Sequence, residues 1–373
     1  MPAWAMAPLL AATTVPPRID VYTMGQGDDL FERFGHAAIC VTYPFRSQRA
    51  RCFNYGTTDF GSPPEELGWA FLRGNAKFWV SVWDRDRMLQ QYVKHDRTVW
   101  VQTLPLSPEA AQTVAARLEH DALPENREYV YHHFRDNCST RVRDIVDGAD
   151  GGSLEASRTR SAPASFRGAA ATRLSGETGL VFAADFLVGR GADVPLSQWD
   201  AMFLPDQLRT TLEERYGVAP HVVYERRGKA FAQNRPQTAP LHLAVGAALT
   251  SIPALLAGRA ARLRLAAALL GTILGLLALV PWCVAALTQV PELRFNEVLL
   301  LLLPTDFVLL SSNARLRRQY LAVRLAGLVL ASLLLGVGVL RQPLLVLAVA
   351  VAAPLAWLWQ RHATARFAST TTS

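Results

Sequence analysis

The feature that most constrains this chain is a change of character near residue 240. Residues 1–240 carry 27 Lys and Arg against 28 Asp and Glu, whereas residues 241–373 carry 11 Arg, no Lys and 3 acidic residues. The formal net charge of +7 therefore resides in the most apolar third of the chain. Apolar runs fall at about 241–257, 265–288, 298–310, 325–340 and 343–359, with arginines between them. A membrane-crossing helix needs about 20 residues. The run 265–288 meets this outright, and 298–310, with Asp306 inside it, fits a re-entrant or interfacial segment as well as a span. If all five runs cross, Arg259, Arg262, Arg264, Arg315, Arg317, Arg318, Arg324, Arg361 and Arg366 share one side, and Arg294 and Arg341 the other. The bias of cytoplasmic loops toward Lys and Arg puts the nine inside and residues 1–240 outside. The pattern excludes a purely soluble enzyme. It also makes nucleic acid an unexpected partner, because a nucleic-acid footprint clusters on a soluble face. Nine Trp and sixteen Phe exclude general disorder.

The expected organisation is an N-terminal apolar segment at 1–18, an extracytoplasmic catalytic domain at 19–216, a linker at 217–240, a transmembrane helical domain at 241–360 and a cytoplasmic tail at 361–373. Within the domain, the Gly-, Ala-, Ser- and Arg-rich stretch 148–175 reads as a flexible insertion. Residues 3–15 have the length of a signal-peptide core but no preceding Lys or Arg. They fit an atypical export signal or a buried N-terminal segment. Strand-like stretches (19–24, HAAICVTY, CFNYGTTDF, AKFWVSVW, TVWVQTLPL) interleave with helical ones, so the class is α+β. Ser107 with Pro108, and Ser197 with Asp200, are expected helix starts.

Four cysteines are present. Cys40 and Cys52 flank a turn centred on Arg46, and a hairpin there sets them opposite each other, as a bridge in an oxidising compartment or as two core thiols. Cys283 lies in an apolar run and reads as a small packed residue. Cys138 opens the helical stretch CSTRVRDIVDG. A helix N-terminus stabilises negative charge and so favours a thiolate; the plain alternative is another small packed residue. A thiol nucleophile needs a base and a group that orients the base. His36, Ala38 and Cys40 share one strand face, and Cys52, Asn54 and Gly56 share one face of the facing strand. That hairpin register puts Asn54 beside His36. His132 and His133 are nearer Cys138 in sequence, which says nothing of distance in the fold. No Cys-x-x-Cys, His-Glu-x-x-His or Gly-rich phosphate loop occurs, so neither metal nor cofactor is expected.

The blocks YTMGQGDDLFERFGHAAI, FNYGTTDF, FLRGNAKFWV, ENREYVYHHFRDNCSTRVRDIV and GADVPLSQWDAMFLPDQL resemble the extracytoplasmic domain of the lipoprotein intramolecular acyltransferase family, Lnb. The resemblance covers about residues 19–210. This family is distantly similar to permuted papain-like enzymes, among them NlpC-type wall hydrolases, in which His precedes Cys as it does here. The resemblance implies a permuted papain-like fold, here ahead of the about five membrane helices that the apolar runs predict, with His36 and Cys138 as the catalytic pair; Asn54 is the third member from strand geometry. Asn137, Tyr55, Lys77, Tyr131 and Arg141 are candidates for substrate or oxyanion contacts. The implied reaction passes an acyl group from a lipoprotein or phospholipid ester through a thioester on Cys138 to an amine. The implied setting is a multi-pass protein of the bacterial cytoplasmic (inner) membrane with its catalytic domain in the periplasm, and the bilayer as a partner. Rival readings are a cysteine peptidase or amidase of wall peptides, a lipid-ester hydrolase, and a non-enzymatic membrane scaffold.

Overall fold

The computed structural model describes residues 15–44, 50–59, 63–256 and 260–370. The apolar stretch 3–14, the turn at Arg46 and Arg259 lie outside the described residues. In chain order the strands are β1 (Arg18–Met24), β2 (His36–Thr42), β3 (Arg51–Thr57), β4 (Lys77–Asp84), β5 (Val99–Thr103), β6 (Glu128–Val130), β7 (Ser161–Ser165), β8 (Pro195–Ser197) and β9 (His221–Tyr224). The helices are α1 (Pro64–Arg73), α2 (Arg85–Lys94), α3 (Pro108–Asp121), α4 (Cys138–Ala149), α5 (Phe166–Arg173), α6 (Thr178–Leu187), α7 (Gln198–Ala201), α8 (Pro205–Tyr216), α9 (Ala239–Leu256), α10 (Ala260–Leu287), α11 (Pro291–Arg294), α12 (Ala314–Gly336) and α13 (Leu345–Thr370). They form two compact units: Met1–Asp59, Lys77–Arg160 and Ser197–Lys229; and Phe60–Ala76, Ser161–Leu196 and Ala230–Ser373.

The first unit is α+β, as expected. Its seven-stranded sheet has the order β6-β4-β3-β2-β1-β5-β9, antiparallel throughout. Both faces are covered, so its central strands are buried almost continuously. On one face Ile39, Phe53, Val21, Val114, Leu118, Val142, Val146 and Leu208 join the sheet to α3, α4 and α8. On the other Met24, Ala38, Val99 and Met88 pack the sheet against α2. Full burial of such aliphatic side chains supplies about 1.5–3 kcal/mol each before chain entropy is charged against it. Ser107 caps α3 ahead of Pro108, and Ser197 with Asp200 forms the capping box that opens α7. Cys40 and Cys52 are register partners with Cα atoms 4.0 Å apart, and they form a disulfide.

Two stretches differ from their sequence reading. Residues 148–175, expected as a flexible insertion, carry a 3-10 turn at Glu155–Arg158, β7 and α5. Leu154 is buried in the main core, and Arg167 is buried on Asp193 at 2.8 Å. The small residues mask this because they show no hydrophobic period. The expected linker 217–240 contributes β9, which pairs with β5 at the sheet edge.

Among the described residues of the second unit, three helices are long and apolar enough to cross a membrane, Arg262–Leu287, Ala314–Gly336 and Leu345–His362, and the apolar part of α9, Ala239–Ser251, is shorter. Of the about five helices expected, these three meet that measure of length and apolarity. The run 298–310 is no α-helix. It forms 3-10 turns at Glu297–Leu300 and Pro304–Leu310, interrupted ahead of Pro304. It runs antiparallel along α10, with Trp282 Nε1 donating to Leu302 O at 2.8 Å. Gly271 permits the approach, because a Cβ there would stand 2.7 Å from Asp306 O. Irregular backbone in an apolar surround must find polar partners inside the protein. Arg324 supplies them: it donates to Leu301 O and to the Asp306 carboxylate, with Nε at 3.0 Å. Arg324, expected among the cytoplasmic arginines, is thus a buried ion-pair partner at 4% exposure.

Candidate active site

Helix α4 begins where Asn137 adopts an extended conformation and caps it. Its Oδ1 accepts from the Ser139 and Thr140 N–H groups at 2.9 Å each, and Thr140 Oγ1 accepts from Asn137 N at 2.8 Å. Asn137 Nδ2 donates to His133 O at 2.7 Å and Phe203 O at 2.9 Å. This buried amide ties the helix start to two loops and has no donor left for an oxyanion, so the side chain acts as a structural anchor. Cys138 follows at the first helical position as a free, partly exposed thiol.

His36 opens β2, and the hairpin register carries Asn54 onto the same face. His36 Nε2 lies 3.3 Å from Asn54 Oδ1, and Asn54 Nδ2 donates to Cys52 O at 3.3 Å. The second bond fixes which way the amide points. Its oxygen then faces the ring and can only accept, so Nε2 carries the proton and Nδ1 keeps the lone pair. Burial, and then the Arg97 charge, lower the His36 pKa to about 4, against a smaller opposing effect of Asn54. The imidazole is neutral at physiological pH, the state a base requires.

The thiol lies against β2 at the Ala37 N–H, one residue along from His36. Burial raises its pKa most, while hydrogen bonding from the Ala37 and Ser139 N–H groups and the Arg97 charge oppose that. No hydrogen bond joins thiol and imidazole among the described residues. Helix α4 meets the hairpin at Gly56, where the positive φ rather than a lack of space favours glycine. At φ 84° it sits in a β-bulge of β3, and a Cβ on it would meet Cys138 Cβ at 3.5 Å and Tyr131 at 3.8 Å. Tyr131 forms a wall beside the thiol and stacks on Phe78 at 4.3 Å.

The other sequence candidates are engaged elsewhere. Tyr55 is a core residue whose hydroxyl donates to Asp121 at 2.8 Å. Lys77 is exposed and pairs with Glu128 at 3.8 Å. Arg141 binds Asp136 and covers the Tyr129 ring at 4.1 Å. Of the five lesser candidates, Tyr131 stands beside the thiol. Sequence reasoning missed Arg97 and Tyr92: Arg97 sits in the turn HDRTVW, where a charge looks like a solvated one, and Tyr92 in a polar helix. Asp29, Glu32 and His95 bring ligand atoms within 4.8 Å of one another. Glu32 already carries Arg97 and His95 on one oxygen, at 3.3 and 3.1 Å, so this cluster is partly neutralised from within.

His133 shares the His36 behaviour, lowered to about 4 mainly by burial, among Phe34, Phe134 and Phe203. The native protein therefore binds fewer protons than the unfolded chain between about pH 6.5 and pH 4. Stability is full above about pH 6.5 and is expected to fall by about 3 kcal/mol per imidazole by about pH 4. Urea unfolding in detergent, followed by tryptophan fluorescence at pH 7 and near pH 4.5, checks this. His133→Phe should flatten part of the slope, and an unchanged slope would contradict the assignment.

Residues 13–171 match the family model described as the Lnb N-terminal periplasmic domain. No curated protein and no solved structure matches the chain. The matched region holds His36, Asn54 and Cys138, and the chain behind it carries the three helices long and apolar enough to cross a membrane.

Proposed function

We propose that this chain, a member of the Lnb family through the periplasmic domain at residues 13–171, is a membrane-anchored thiol acyltransferase acting on bacterial lipoproteins. The observation that carries this reading is the placement of Cys138, at a capped helix start, against the hairpin whose two strands bear His36 and Asn54. In this reading the antiparallel sheet with its Cys-bearing helix is a permuted papain-like core, in the chain order His, Asn, Cys.

His36 Nδ1 takes the thiol proton, and the Cys138 thiolate attacks the carbonyl carbon of an acyl ester. The tetrahedral oxyanion is met by the Cys138 N–H, which the Asn137 side chain does not take and which bonds the thiol in the resting site. Collapse breaks the ester C–O bond, and the imidazolium returns its proton to the departing alkoxide, leaving a thioester and a free hydroxyl. A neutral amine then attacks the thioester. His36 takes the amine proton and passes it to the departing thiolate, leaving an amide and the thiol. The donor in this reading is the diacylglyceryl group of a lipoprotein, and the acceptor is that lipoprotein's own N-terminal amine. Tyr131 beside the thiol, backed by the buried Phe78, favours an acyl chain over a polar wall peptide.

We place the protein in the cytoplasmic membrane as a multi-pass chain with Arg262, Arg264, Arg315, Arg317 and Arg318 on the cytoplasmic side. The irregular descent of residues 298–310 along α10 returns the chain to the Arg264 end.

Tandem mass spectrometry of lipoprotein N-terminal peptides, from cells with and without the protein, tests the reading. Intramolecular transfer leaves the total mass unchanged and moves one acyl chain from glycerol to nitrogen, which fragment ions reveal. Loss of an acyl mass without N-acylation would assign hydrolysis instead. Identical fragment spectra in the two strains would overturn the reading.

A further inference from the structure

Arg97 lies between α2 and β5 at 4% exposure. Its Nε donates to Gly25 O at 2.9 Å and its Nη1 to Glu32 at 3.3 Å. The guanidinium covers the Tyr92 ring at 5.0 Å, and Tyr92 in turn stacks on His36 at 5.9 Å. Nη2 is buried and makes no hydrogen bond among the described residues. A buried, unsatisfied cationic donor is costly, and such groups persist where an anion or acceptor forms during function. Among the described residues, the titratable and charged groups that act on the thiol are the Tyr92, Tyr129 and Tyr131 phenols, all held neutral by burial, and Arg97. Asp136 lies beyond Tyr131 and is bound to Arg141. Among these, Arg97 alone is a permanent charge, and it acts on both Cys138 and His36.

We propose that Arg97 is a positioning residue of the site, a fixed buried cation that stabilises the Cys138 thiolate as it forms. This rests on the reading of Cys138 as nucleophile. The negative charge left on sulfur when the proton departs is met by the helix start and by a group that never titrates. Arg97 is that group and is held in place by Gly25 and Tyr92. Glu32 moderates it, because its carboxylate offsets part of the guanidinium charge.

The test is the pH dependence of Cys138 alkylation by iodoacetamide, in the full-length protein in detergent. A Cys283→Ser background leaves Cys138 as the one free thiol, since Cys40 and Cys52 are bonded. An opposite charge nearby moves a pKa by about 1–3 units, so Arg97→Met should raise the alkylation midpoint by about one unit and slow the reaction at pH 7 by about tenfold. Arg97→Lys should restore most of the rate. Glu32→Gln should move the midpoint down, and it keeps the proposal falsifiable if Arg97→Met fails to fold. Superimposable profiles for folded Arg97→Met and the parent, or an unmoved or raised midpoint in Glu32→Gln, would overturn the role of Arg97 and leave the acyltransferase reading intact. Shifted profiles together with full acyl transfer by Cys138→Ser would instead remove the nucleophile assignment.

Discussion

Cys138→Ser is expected to lose acyl transfer by at least about a thousandfold, equivalent to about 4 kcal/mol of transition-state stabilisation. The serine hydroxyl would occupy the same first helical position, against the same Ala37 N–H and behind the same Asn137 cap. Folding should therefore be little changed, and the loss would be chemical. An alcohol is far less acidic than a thiol, so with the same imidazole the serine would furnish far less of the attacking anion. His36→Ala should lose nearly as much, because Nδ1 is the acceptor for the thiol proton. Asn54→Ala should lose less, since the amide selects the tautomer and does not touch the reacting atoms. His132→Ala is the cleaner control: its Nδ1 accepts from the Phe134 N–H at 3.3 Å within a local turn. His133 is a poorer one, because its ring is packed among aromatics and its carbonyl holds the Asn137 cap. The assay is the N-acylation of a synthetic diacylglyceryl peptide, resolved by fragment ions. Activity of Cys138→Ser within tenfold of the parent would remove Cys138 from the chemistry.

The second large effect is expected far from the thiol, in the irregular segment of the helical unit. Asp306 is fully buried, with Arg324 Nε at 3.0 Å and Tyr320 OH at 2.6 Å. Asp306→Ala leaves a cation without its counter-charge, and breaking a buried pair from one side costs about 3–5 kcal/mol. Arg324→Ala should cost as much, because it strands the carboxylate and withdraws the donor from Leu301 O. The double substitution is expected to cost clearly less than the two singles added, since no lone charge remains and the surround is apolar. Unfolding in mixed detergent and denaturant, scored for the two singles and the double, reads this coupling. Singles costing under about 1 kcal/mol would mean that the pair is solvated and that the segment does not depend on it.

How far the site could be read from sequence follows from the range of the forces involved. The caps at Ser107 and Ser197 involve atoms within three or four residues, so their patterns could be read directly. The placement of Asn54 beside His36 follows from strand alternation across one hairpin, once Cys40 is set opposite Cys52. Asn137, Tyr55, Lys77 and Arg141 were drawn toward the site by their nearness to motif residues, and the fold sends each to other work. A neighbour along a strand points to the opposite face, which is why Tyr55 lies in the core while Asn54 meets the imidazole.

By itself the sequence determined the division into an α+β domain and an Arg-bounded apolar third, the start of the Cys138 helix and the shared face of His36 and Asn54. These rest on composition, period and capping, which act over a few residues or along one hairpin. Tertiary structure decided the rest. It bonded Cys40 to Cys52, brought the Cys138 thiol against the Ala37 N–H of β2, and set Arg97 and Tyr92 behind the imidazole. It also made the run 298–310, open on sequence between a span and a re-entrant segment, an irregular backbone held by Arg324. The physical reason is the same in each case: whether a charged or polar group is solvated or buried depends on what packs over it, and the covering residues come from distant parts of the chain.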